Sequence, residues 1–195
     1  MKQTMIRKTC NVITGNRGTA IAWITATMMV CTNAHADSAV VDFTYSPSQS
    51  SMMSTVGMGI YDLKDTGPGF YVNGSLSGSP DSYYSTCYSC GSVKSTQQGA
   101  ALFALGATFP LVTSDMHVPI YRTLHSYVGL GYGSLSGYAQ YASSSSWYDY
   151  SSKDQSGVNV NGGLVFGFDG FALNVGVNSL SKTVYFGIGI NTDKK

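Results

Sequence analysis

From Val158 to Ile190, apolar side chains recur at every second position. One parity reads Val158, Val160, Leu164, Phe166 and Phe168, and after Asp169-Gly170 it resumes as Phe171, Leu173, Val175 and Val177, then Val184, Phe186, Ile188 and Ile190. The opposite parity is Asn159, Asn161, Gly163, Gly167, Ala172, Asn174, Gly176, Asn178, Gly187, Gly189 and Asn191, with Val165 and Tyr185 its larger members. A period of two places successive side chains on opposite faces of a β-strand. The second face is polar yet uncharged. Between Gln155 and Thr192 only Asp169 and Lys182 carry charge, and both fall at predicted turns. A sheet surface in contact with water normally mixes Lys, Glu and Asp. An apolar outside with a small, neutral, polar inside fits a transmembrane β-barrel instead.

The same period predicts eight strands, at residues 40–46, 54–61, 70–77, 98–110, 124–140, 157–168, 171–179 and 183–191. In the first, Val41, Phe43 and Tyr45 share a face; in the second, Val56, Met58 and Ile60 oppose Gly57 and Gly59. In the third, Phe70, Val72 and Leu76 alternate with Tyr71, Asn73 and Ser75, and in the fourth Phe103, Leu105, Ala107 and Phe109 share a parity. The fold class is therefore all-β, an antiparallel up-and-down eight-stranded transmembrane barrel. Links 47–53, 78–97 and 141–156 are polar and mostly long, whereas 62–69 and 169–170 are short turns and 111–123 is intermediate. Odd links of an up-and-down barrel lie at one end and even links at the other, so the order long-short fits external loops and periplasmic turns. Nearly all charges fall in links or at the tail, with Asp42 the exception within a strand. Tyr61, Phe70, Phe109, Phe168 and Phe171 collect at the short-turn ends, as an interfacial girdle requires. The lipid-facing set in the last three strands is Leu164, Phe166, Phe168, Phe171, Leu173, Val175, Phe186 and Ile188. The competing architecture is a water-soluble barrel or sandwich with its apolar face inward, and the uncharged second face argues against it.

Residues 1–36 read as an export signal. Lys2, Arg7, Lys8 and Arg17 form a positive region, 19–30 an apolar one, and Ala34-His35-Ala36 a small-x-small cleavage site before Asp37. The barrel domain is then 37–195, with ten aspartates, no glutamate, six lysines and one arginine, a formal net charge of −3. So few basic residues exclude nucleic acid as a partner. No apolar run of about 18 residues, the length a spanning helix needs, follows the signal. The bacterial outer membrane is the expected location, with outer-membrane lipid and the outer-membrane assembly machinery as partners and an external ligand or host surface as a third.

The fifth strand carries Ser126-Tyr127-Val128-Gly129-Leu130-Gly131-Tyr132-Gly133. It resembles the Tyr-Val-Gly-x-Gly-x-Gly strand of small outer-membrane barrels, the OmpA-like, OmpX-like and opacity-protein group. The last three strands and the layout of a signal plus about 150 residues are similar to that group as well. The resemblance implies a small surface barrel of non-enzymatic role. One feature departs from it: members usually end on a strand with a terminal aromatic, whereas here Asn191-Thr192-Asp193-Lys194-Lys195 follows and Phe186 is the nearest aromatic.

Candidate chemistry is sparse. Cys87 and Cys90 lie in the third link. A Cys-x-x-Cys can be redox-active or half a zinc site, but no helix signal precedes it and no second pair exists. In an exported chain a small disulfide loop is the plainer reading. His125-Ser126 invites comparison with lipid A deacylase-like barrels, but adjacent strand residues point to opposite faces and no glutamate follows the signal. No catalytic set, cofactor site or metal site is read. Asp42 and Arg122 lie near the same strand ends and either pair in the lumen or leave Arg122 to snorkel to the interface. Tyr83, Tyr84, Tyr88, Tyr141, Trp147, Tyr148 and Tyr150 populate two external loops. Tyr-Ser surfaces bind adaptably at low entropy cost, while interfacial aromatics contacting headgroups are the alternative. The expected role is non-enzymatic, either loop-mediated binding and adhesion or envelope integrity. Two alternatives remain: passage or binding of a small solute or lipid through a narrow lumen opened by inward glycines, and a lipid-modifying enzyme.

Overall fold

The computed structural model describes residues 38–49, 51–80, 83–85, 91–113 and 122–193. Eight long strands are β1 (Ser38–Ser46), β2 (Thr55–Leu63), β3 (Gly69–Ser77), β5 (Val93–Val112), β6 (Thr123–Tyr141), β8 (Gln155–Gly167), β9 (Phe171–Asn178) and β10 (Thr183–Asp193). Two short ones, β4 (Tyr83–Tyr84) and β7 (Trp147–Asp149), sit in the links. Each long strand pairs antiparallel with its predecessor and successor among the long strands, and β10 pairs back onto β1, from Ser38↔Asp193 to Tyr45↔Phe186. The sheet thus closes with no open edge in the barrel wall, which a spanning sheet needs because lipid offers backbone groups no hydrogen bonds.

The eight predicted strands are all present, and their alternation confines each pairing to registers that keep the apolar faces together. A one-residue slip would turn every side chain of a strand to the wrong face. On β10, Val184, Phe186, Ile188 and Ile190 are exposed while Thr183, Tyr185, Gly187, Gly189 and Asn191 are buried. The outer wall is apolar at large residues throughout; Val56, Leu130, Ile188 and Ile190 are each more than 60% exposed. Two-residue turns close the tightest link: Phe168 N–H donates to Phe171 O at 2.8 Å, and Gly170 supplies the positive φ of 78° that the bend requires.

The lumen is where the structure adds most. Tyr61, Tyr71, Tyr127 and Tyr185 point inward from four strands, with Tyr61 and Tyr71 stacked at 5.6 Å and Tyr127 edge-on to Tyr71 at 4.8 Å. These rings fill the space that inward glycines vacate. A Cβ at Gly176 would run into the Tyr127 hydroxyl and the Tyr185 ring, one at Gly163 into the Tyr127 hydroxyl, and one at Gly129 into the Tyr71 hydroxyl. Buried phenols and amides are costly without partners, and here they satisfy one another. Tyr127 donates to Asn174 Oδ1 at 2.8 Å, Tyr71 to Asn161 Oδ1 at 2.9 Å, and Asn161 Nδ2 to Asn178 Oδ1 at 2.7 Å. Asn174 Nδ2 donates to Asp42 Oδ2 and lies equally near the Tyr61 hydroxyl, both at 2.7 Å. Towards the long-loop end, Met52, Ala100, Leu102 and Leu135 make a second apolar layer, with Leu180 against it. The first link folds over that layer, Met53 N–H donating to Gln98 O at 2.9 Å.

Four expectations are corrected. Tyr61 is fully buried in the lumen and does not belong to the girdle, because its parity is that of Gly57 and Gly59. Asp62 lies within β2, so Asp42 is not the sole charge inside a strand. Arg122 pairs with Asp169 at the short-turn end, both side chains exposed, while Asp42 is held by Asn174, so the two do not meet in the lumen. The β5–β6 hairpin continues past residue 98, because Val93 to Gln98 pair with Tyr141 to Gly137 beyond the barrel wall.

The ring-into-glycine packing yields a stability prediction. Gly176→Val should destabilise the barrel by about 3 kcal/mol, the upper end of what overpacking a filled interior costs. Gly157→Ala, whose added carbon meets nothing nearer than Leu180 at 4.0 Å, should stay within about 0.5 kcal/mol of the parent. Urea titration in detergent micelles, read by the mobility of unboiled samples, measures both; coincident midpoints for the two variants would refute the packing argument.

Candidate functional site

Beyond the barrel wall at the long-loop end, β6 exchanges partners. It pairs with β8 as far as Leu135↔Gln155 and then with β7, at Tyr138↔Asp149, Ala139↔Tyr148 and Gln140↔Trp147. The switch is held by Asp154, whose carboxylate accepts from Gly137 N–H at 2.7 Å, and by Tyr150 N–H donating to Gly137 O at 3.0 Å. A one-turn 3-10 segment, Ser151–Lys153, makes the corner between β7 and β8. β4 then adds parallel to β7, Tyr83 beside Trp147 and Tyr84 beside Tyr148. Two loops far apart in sequence, one after β3 and one after β6, become a single small sheet on the extended β5–β6 hairpin.

The pleat divides the aromatic residues between two faces. Tyr84, Tyr148 and Tyr141 share one, with ring centroids 5.6 Å apart for Tyr84 and Tyr148 and 5.7 Å for Tyr141 and Tyr148. Tyr83, Trp147 and Tyr138 share the other, Tyr83 meeting Tyr138 edge-on at 5.5 Å. Tyr83 and Tyr84 are exposed, and Trp147, Tyr148 and Tyr150 are half-buried. Tyr138, which periodicity alone left as an ordinary strand residue, is the buried ring under Tyr83. Its signal in the sequence was its place just past the barrel's last outward position on β6. Tyr88, Cys87 and Cys90 lie outside the described residues. Asp149 sits in this sheet, and partial burial and then the nearby charge of Asp154 raise its carboxyl above the ordinary 3.8.

The other candidates fall apart spatially. His125 is buried inside the wall, its Nε2 3.0 Å from Lys64 O, while Ser126 points outward. The pair therefore shares no site. Leu164, Phe166, Phe168, Phe171, Leu173, Val175, Phe186 and Ile188 all lie on the outer surface, with Phe168 and Phe171 stacked at 4.5 Å beside the turn. Among the described residues no group of three His, Cys, Asp or Glu is placed to hold a metal ion.

A closed antiparallel barrel of eight strands, apolar outside and hydrogen-bonded within, has the architecture of the small outer-membrane β-barrels. Solved structures of that architecture resemble it. The attachment invasion locus protein Ail of Yersinia pestis matches with a TM-score of 0.45 at 11% identity, over 80% of this chain and 95% of that one. The N-terminal β-barrel domain of Pseudomonas aeruginosa OprF matches at 0.45 and 15% identity, over 80% and 98%. Ail in complex with the heparin analogue sucrose octasulfate matches at 0.40 and 12% identity, over 80% and 96%. No protein-family model matches the sequence, and no curated protein matches it.

The carboxylate pair in the external sheet sets a pH dependence. A carboxyl raised in the folded state binds its proton more tightly there than in the unfolded chain. Its favourable contribution is complete below the ordinary 3.8 and is lost as pH rises through the raised value. Amide exchange, corrected for its intrinsic pH dependence, should therefore show β7 better protected on the acid side of that window. Asp149→Asn should flatten the trend, and an unchanged pH profile in the variant would contradict the assignment.

Proposed function

We propose that this chain is an outer-membrane surface protein that binds an external partner non-enzymatically through the sheet formed by β4, β7 and the β5–β6 extension. The supporting observation is the joining of two distant loops into one aromatic surface. Rigid Tyr and Trp side chains offer large contact area with few rotors to immobilise, and fixing them on paired strands lowers the ordering cost of binding. The exposed apolar wall supports residence in a bilayer, with Leu164, Phe166, Leu173, Phe186 and Ile188 facing lipid. Signal cleavage after Ala36 and a Cys87–Cys90 disulfide in the β4-bearing loop belong to the same reading.

The inward glycines do not favour a solute pathway, because tyrosine rings occupy their space. A barrel of eight strands is about wide enough to be filled by its own side chains. Planar-bilayer recordings should accordingly show no steady conductance, and a stable open level in the parent protein would revive the transport alternative.

Adherence of whole cells displaying the protein tests the binding role. Tyr84→Ala with Tyr148→Ala should lower adherence to the target surface by roughly tenfold or more, since truncating an anchor ring costs on the order of 1–2 kcal/mol. Heat-modifiable mobility should persist in the double variant, showing that the barrel still folds. Equal adherence of variant and parent, together with detergent sensitivity on deletion of the whole protein, would replace binding by envelope integrity.

A further inference from the structure

Among the described residues, the outer wall has a gap on β8 that the interior does not explain. On β8 the outward residues are Val158, Val160, Gly162, Leu164 and Phe166, so Gly162 interrupts an otherwise bulky row. Across the wall its neighbours in register are Val128 on β6 and Val177 on β9, and Val177 is followed by Val184 on β10. These residues surround a groove of about 410 Å³, lined by Val128, Val160, Val177 and Val184 and topped by Ser179 and Lys182.

No side-chain ring demands this glycine. Inward glycines make room for rings, whereas a Cβ at Gly162 would meet Tyr127 O at 3.2 Å, a tight contact that needs a shift of a few tenths of an ångström, and otherwise only Val128 atoms at 4.0 Å. The outward glycine on β3, Gly74, differs, for it is buried between Met58 and Phe103. A glycine within a strand forgoes packing and weakens the strand, so the groove over Gly162 is maintained at a cost.

Lys182 stands at the groove's outer end, in the turn between β9 and β10. Its φ of 54° is left-handed, a conformation that glycine adopts freely and lysine does not. Among the described residues it makes no ion pair. Roughly 7 Å along the strand separates it from the row of Val184 and Gly162, two residues at the usual rise. A cation thus lies above an apolar slot, at the end of the barrel where a membrane surface would be.

We infer that the slot over Gly162 and the ammonium of Lys182 form a site for one phosphate-bearing lipid, its acyl chain in the slot and its phosphate on Lys182. An unfilled slot in hydrocarbon forfeits dispersion contacts, and a chain lying in it restores them. Lys182 supplies the matching charge for a phosphate at the interface. The inference rests on the membrane reading above, since a soluble barrel would turn this slot to water.

The test uses the full barrel refolded in non-ionic detergent and native mass spectrometry. Dimyristoylphosphatidylglycerol is titrated against digalactosyldiacylglycerol, which lacks phosphate, with inorganic phosphate as competitor. The parent should retain the phosphatidylglycerol at about fivefold lower concentration than the uncharged lipid, the preference that one lysine at an anionic lipid surface implies. Lys182→Gly should abolish that preference while holding or raising the unfolding midpoint, because glycine relieves the left-handed backbone. Gly162→Leu should fill the slot and lower retention of both lipids with the fold intact. Equal retention of the two lipids by the parent, unaltered retention in either variant, or displacement by inorganic phosphate alone would each overturn the site. A barrel that folds in micelles yet shows no preference refutes this site only; recovery of the protein in the soluble periplasmic fraction refutes the membrane reading as well.

Discussion

The constraint on which the rest of the structure depends is the fit of four tyrosine rings into the gaps left by inward glycines. A barrel of eight strands encloses too little space for large side chains at every inward position. Glycine at Gly59, Gly129, Gly163 and Gly176 lets Tyr61, Tyr71, Tyr127 and Tyr185 cross the lumen. Those rings bring hydroxyls into a place sealed from water, and asparagines at Asn161, Asn174 and Asn178 hydrogen-bond them. Removing water makes each bond stronger and each missing one more expensive. The lumen is therefore a polar core, doing inside the barrel what an apolar core does in a soluble domain.

That inversion explains the outer surface. With the lumen's tyrosines hydrogen-bonded to asparagines and backbone groups paired around the closed sheet, the wall is free to turn its apolar side chains outward. Phe43, Leu130, Phe186 and Ile188 can stay exposed without conflict only if the surroundings are apolar too. The membrane reading and the hydrogen-bonded lumen are thus two sides of one arrangement. The same closure frees the upper part of β6 from β8 and leaves its edge available, and the two long loops use that edge to build the aromatic sheet. The proposed binding surface thus lies where the wall's constraint ends.

Much of this was legible from alternation. The eight strands, the outward set on β8 to β10 and the inward parity of Tyr185 and Val165 all follow from period two, because a buried or lipid-facing wall tolerates no slip. Turn chemistry at Asp169-Gly170 was equally plain. Tyr61 shows where the method failed: an aromatic at a strand end suggested a girdle, although its own parity with Gly57 and Gly59 pointed inward. Of the two alternatives for Arg122, the lumenal pair with Asp42 is excluded for another reason. Proximity along the barrel axis says nothing about position around it, and Arg122 pairs with Asp169, in the turn that follows β8.

The sequence by itself determined a two-faced sheet, its strand count and which side chains face out, since these rest on local periodicity and the cost of charge in an apolar setting. Only the tertiary structure decided that glycines and tyrosines from different strands interlock, that Asp42 answers to Asn174, and that Tyr83 and Tyr84 join Trp147 and Tyr148 in one sheet. Those facts depend on which residues closure brings level around the barrel. Strand stagger sets that, and no single strand encodes it.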